Sequence, residues 1–154
     1  MTERGILLDV NVLLALFWPP HEFHHQVRAW FRDRANKQWA TCPITQNGFV
    51  RIASNPAFSR DALSVDDALR LLKANLSHPG HVFWPDDLDL TASLSLSGAR
   101  LQGHRQITDA YLLGLAMHHK GRLATLDNSV AILLPRGSRT PDWIIDLSTA
   151  SHRS

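Results

Sequence analysis

Three aspartates stand where an α/β chain can put carboxylates to chemical use. Asp9 follows the short apolar run Gly5-Ile6-Leu7-Leu8, Asp127 follows Arg122-Leu123-Ala124-Thr125-Leu126, and Asp109 sits near the start of an apolar helical stretch. Taken singly, each fits a helix cap or a favourable charge at a helix N-terminus. Taken together they fit something else. At ~5 Å and an effective dielectric near 20, each carboxylate pair repels by about 3 kcal/mol. A cluster of three therefore raises its pKa values or recruits a cation. Hard oxygen donors without a Cys or His pattern select Mg2+, with Mn2+ as the alternative.

Such a cluster needs elements that bring distant residues together. Strands are expected at Gly5 to Leu8, Trp39 to Cys42, Val82 to Trp84, Arg122 to Leu126 and Trp143 to Ile145. Helical patterns lie between them: Val10 to Trp18, His21 to Ala35, Pro43 to Asn55, a segment capped by Ser64, Ala92 to Leu101 and Ile107 to Lys120. Strands that alternate with helices imply a three-layer α/β/α domain with a parallel sheet of about five strands, spanning 1–154 as one unit. Ligand sites in such sheets gather at the carboxyl ends of the strands, where strand order reverses. Asp9 and Asp127 both occupy strand ends.

Composition excludes several classes. Of 154 residues, 44% are hydrophobic, which is ordinary for a globular chain and rules out disorder, coiled coil and collagen. The single cysteine, Cys42, excludes a disulfide framework and a cysteine zinc site. A net charge of +2 is mildly basic and does not by itself imply nucleic acid. Glu3 and Asp9 do not fit a signal peptide, and Pro19-Pro20 stops the longest apolar stretch well short of a membrane span. A cytoplasmic protein is the expectation.

The order of these motifs carries a family resemblance. Leu7-Leu8-Asp9-Val10-Asn11-Val12-Leu13-Leu14-Ala15 resembles the opening of a PIN domain. Thr108-Asp109-Ala110-Tyr111-Leu112 followed by Leu123-Ala124-Thr125-Leu126-Asp127 resembles its closing half. Thr45-Gln46-Asn47-Gly48-Phe49-Val50-Arg51 and Phe83-Trp84-Pro85-Asp86 make the chain most similar to VapC-type toxins of bacterial toxin–antitoxin pairs. The resemblance implies a Mg2+-dependent (or Mn2+-dependent) endoribonuclease that leaves a 5′-phosphate and a 3′-hydroxyl. It implies metal-binding and catalytic roles for Asp9, Asp109 and Asp127, and supporting roles for Asn11 and Thr125. It also implies a VapB-type antitoxin partner and a homodimer. One departure stands out. The family usually carries a Glu three residues after the Thr at position 45; here that position is Gly48. The missing carboxylate supports an alternative, a catalytically weak or inactive PIN module that binds RNA or a protein.

Other features are placed around this frame. Arg100, His104 and Arg105 precede Asp109 and are candidates for contacts with RNA phosphates. Val12, Leu13, Leu16, Phe17 and Trp18 form a helix apolar all round, which is expected to face an antitoxin or a second copy. His21 and His25 have i,i+4 spacing but no evident third ligand, so His21, His24, His25, His118 and His119 are expected at surfaces or helix ends. A haloacid-dehalogenase-type phosphatase is rejected because Asn11 stands where that motif needs a second aspartate to shuttle a proton.

Overall fold

Ile6, Leu7 and Leu8 are apolar, lack charge and are wholly buried, so they can serve only as an internal strand, β1 (Ile6–Leu8). In the computed structural model, which describes residues 4–34 and 37–148, β1 is the middle of a five-stranded parallel sheet. The other strands are β2 (Trp39–Thr41), β3 (His81–Phe83), β4 (Arg122–Thr125) and β5 (Ile144–Asp146), in the order β3-β2-β1-β4-β5. The order reverses between β1 and β4, where Ile6, Leu7 and Leu8 pair with Arg122, Leu123 and Ala124.

Strand side chains alternate between faces. Ile6, Leu8 and Ala124 enter one core, with residues of α1 (Val10–Phe17), α2 (His24–Arg32), α3 (Pro43–Ala53) and α4 (Val65–Leu76). Leu7, Leu123 and Ile144 enter the other, with α6 (Ile107–His118), which follows α5 (Leu90–Ser97) in the chain. The expected three-layer α/β/α arrangement follows directly. Among the described residues, no helix is long and apolar enough to cross a membrane.

The serine-rich helix α5 is set by its ends rather than by its apolar pattern. Asp89 accepts the Ala92 amide at 2.8 Å, and Gly98 closes the helix in the left-handed region at φ 62°. Its Ser93 is fully buried and donates to the Tyr111 carbonyl at 2.7 Å. Gly114 of α6 faces Ser93 so closely that an added Cβ would collide with the serine's carbonyl and hydroxyl oxygens. Small residues on both sides thus let α5 lie directly on α6.

Two expectations change. Trp143 ends a short helix, α7 (Thr140–Trp143), so β5 begins one residue later and extends to Asp146. The expected end of the second helix at Ala35 lies outside the described residues. The apolar helix is also not an exposed face. Val12 and Leu13 are 0% exposed, and Leu16, Phe17 and Trp18 are at most 8% exposed. α1 packs against α2, α3, α4 and β4. Phe17 stands edge-on to Trp39 at 5.9 Å and to Phe49 at 5.6 Å, and Trp18 lies 5.8 Å from Phe58. The apolar surround of α1 is consumed inside the fold, so these five residues do not form a free docking surface.

Candidate active site

Asp9 ends the β1 run and caps α1. Its carboxylate accepts the Val12 amide at 3.1 Å, and its own amide donates to the Ala124 carbonyl at 3.1 Å. The second contact ties the residue to the end of β4. By strand alternation Asp9 and Thr125 turn to the Leu7 and Leu123 side of the sheet, the side covered by α6. Asp109 lies in the first turn of α6. The helix-cap reading of Asp9 is therefore correct as far as it goes, but the cap also stands at the strand-order reversal.

Thr125 is fully buried between two of the aspartates. Its hydroxyl donates to the Asp9 carboxylate and accepts the Asp127 amide at 3.0 Å. Asp127 is exposed. Its carboxylate accepts the amide and hydroxyl of Ser129 at 2.9 and 2.6 Å, opening a 3-10 turn at Asn128–Leu133. Asn11 is exposed in the first turn of α1 and is not the cap; its backbone amide is directed at the Asp9 carboxylate.

Electrostatics links the three acids. Burial pushes the Asp9 carboxyl up to about 6, and the charge of Asp109 adds to the rise, against hydrogen bonds from Thr125 and Val12. Burial also raises Asp109, with the charge of Asp127 as the second cause. The field of each acid thus reaches the next. They form an open row rather than a tight cage: among the described residues, the one group of three donors within 4.8 Å of one another is elsewhere, at Asp87, His118 and His119. A carboxylate held at about 6 by burial and a neighbouring charge is a group that a divalent cation would relieve, and the donors are hard oxygens.

Arg100, His104 and Arg105 are all exposed on the segment leading into α6; His104 and Arg105 belong to a 3-10 turn directly before it. Gly48 is buried on α3. A Cβ built there would lie 2.5 Å from Val10 Cγ2, so a side chain at this position runs into the first residue of α1. A glutamate at 48 would require Val10 to move. Asp146 is a further strand-end carboxylate on this sheet. It stands in register with Thr125 at the end of β5 and accepts the Ser148 amide at 2.9 Å. Its signal is the one that marks Asp9 and Asp127, a carboxylate closing an apolar strand, but the expected strand stops at Ile145.

The PIN domain pattern matches residues 6–133, which includes every strand except β5 and all three aspartates. The chain belongs to the PIN domain family. This PIN domain is 42% identical over 125 residues to Ribonuclease VapC39 of Mycobacterium tuberculosis, covering 81% of this chain and 90% of the relative. It is also 42% identical over 135 residues to Ribonuclease VapC38 of the same organism, covering 88% and 94%. A chain in the crystal structure of VapBC2 from Rickettsia felis, bound to a DNA fragment from their promoter, superposes with a TM-score of 0.60. That match covers 92% of this chain and 97% of the other at 12% identity, so it speaks for the fold.

Proposed function

We propose that this PIN domain is the toxin endoribonuclease of a toxin–antitoxin pair, hydrolysing RNA phosphodiester bonds with Asp9, Asp109 and Asp127 around a divalent cation. What supports it is the placement of the Thr125 hydroxyl between Asp9 and Asp127 at the strand-order reversal, with the charge of Asp109 felt at Asp9. The two relatives at 42% identity bear the name ribonuclease.

The three carboxylates would hold Mg2+ or Mn2+. The cation supplies Lewis acidity toward water and phosphate oxygen. The chain's own residues do the rest. Thr125 fixes the orientation of Asp9 and hydrogen-bonds the backbone of Asp127. Ser129 holds the Asp127 carboxylate from the solvent side. Asn11 directs its backbone amide at Asp9 and keeps its side chain in solvent, within reach of a bound strand. Arg100, His104 and Arg105 meet RNA phosphates on the way to Asp109. A VapB-type antitoxin silences the site, and the active form is a homodimer. With α1 buried, Phe17 and Trp18 offer little free surface to either partner.

Antitoxin-free protein is expected to cut a discrete subset of cellular RNA in Mg2+ or Mn2+, and EDTA is expected to stop it. Gel or sequencing analysis of the fragments reads the result. Cleavage that persists in EDTA would overturn the cation. RNA binding without cleavage would favour the inactive-module reading.

A further inference from the structure

The histidines at the other end of α6 acquire the third ligand that the sequence lacked. His118 is the last residue of α6 and His119 follows as its cap. Asp87, from the segment after β3, lies between them: its Oδ1 is 3.7 Å from His118 Nε2 and 3.8 Å from His119 Nε2. All three donor atoms fall within 4.8 Å of one another. We propose that Asp87, His118 and His119 form a binding site for a zinc ion, separate from the acidic row.

The distances leave room for a bridging cation between the carboxylate and the two rings. Contacts of 3.7 and 3.8 Å are too long for hydrogen bonds. Zinc bonds of about 2.0–2.2 Å hold tetrahedral donors roughly 3.3 Å apart, so closure by a few tenths of an ångström brings Asp87 to each histidine at bonding geometry. Two imidazole nitrogens with one carboxylate suit zinc and not Mg2+. The Nε2 of His119 is buried and has no hydrogen-bond partner in the structure, an orphan that a metal would satisfy. Its ring is already fixed, stacked on Trp84 at 4.3 Å and 9°. Burial also holds His119 below the usual histidine range, which keeps the ring neutral and able to donate a lone pair. The side chains of His118 and Asp87 are 40% and 49% exposed, so an ion can enter from solvent.

The site is distinct from the nuclease centre. From Asp109 to His118, α6 rises about 14 Å along its axis. The ion would clamp the segment after β3 to the end of α6, leaving one position for water or an incoming donor.

Calorimetric titration of the full chain with zinc chloride, in saturating Mg2+, tests this. The expected result is a single zinc ion bound in the micromolar range or tighter. Asp87→Asn and His118→Gln, both at exposed positions, are each expected to weaken it at least tenfold, with RNA cleavage in Mg2+ unchanged. These two substitutions leave the stack of His119 on Trp84 in place, so a loss of binding is not a loss of fold. Zinc binding no tighter than millimolar would overturn the site. So would zinc binding that both exposed variants leave intact and Asp109→Asn abolishes, since the ion would then sit in the acidic row.

Discussion

Asp109→Asn is expected to lower the RNA cleavage rate by about 10³-fold, while the protein stays folded. Charge stabilisation by a bound cation contributes several kcal/mol to phosphoryl chemistry, and about 4 kcal/mol corresponds to a thousandfold. The amide keeps the shape of the side chain and the first turn of α6 but removes one anionic donor. It also removes the charge that helps to raise Asp9. Asp9→Asn and Asp127→Asn are expected to act in the same direction. Asparagine still caps α1 in the first case and still accepts from Ser129 in the second, so neither loss should arise from unfolding. Single-turnover cleavage of one defined RNA, with circular dichroism of each variant, separates the effects. A variant that cuts within threefold of the parent would remove its residue from the chemistry.

The second large effect concerns stability in the absence of divalent cations. Asp9 titrates at about 6 in the folded chain, against 3.8 for an unperturbed aspartate. The folded state therefore binds the proton more tightly between those values, and stability falls as pH rises through the window. The displacement corresponds to about 3 kcal/mol, an upper bound on what ionised Asp9 costs at neutral pH. Chelator-treated protein is expected to melt higher at pH 5 than at pH 7.5. Asp9→Asn is expected to melt several degrees above the parent at pH 7.5, up to ~10 °C, and to lose that advantage near pH 4. Saturating Mn2+ reverses the order, because the parent gains binding energy that the variant cannot. Differential scanning calorimetry across this pH range reads both signs. An unchanged melting temperature in Asp9→Asn would mean that the buried carboxylate carries no strain.

Much of this architecture is legible in the sequence because it rests on local patterns. Ile6-Leu7-Leu8 before Asp9, and Leu123-Ala124-Thr125 before Asp127, combine a buried strand with a terminal acid, and the topology of parallel α/β sheets sets both at one edge. The rest depends on neighbours that a sequence does not show. The apolar surround of α1 is equally consistent with a docking face and with complete burial; the helices packed on it decide for burial. Trp143 has the composition of a strand residue, yet Pro141 at the start of α7 turns the chain helically first. Asp87 and the paired histidines come from different elements, and only the course of the chain after Trp84 brings them together. Gly48 has the sequence signature of a lost ligand; its contact with Val10 shows a close packing of α3 on α1 that a larger residue would disturb.

Asp9, Asp109 and Asp127 are expected to hold one divalent cation in common. Mn2+ binding followed by electron paramagnetic resonance, on the parent and on Asp9→Asn at pH 7.5 with zinc excluded, addresses this without relying on cleavage. One Mn2+ per chain is expected for the parent, with affinity reduced at least tenfold in Asp9→Asn and falling in the parent as pH drops below about 6, where Asp9 takes up its proton. Equal Mn2+ affinity in the two proteins, with no dependence on pH between 5 and 7.5, would contradict it.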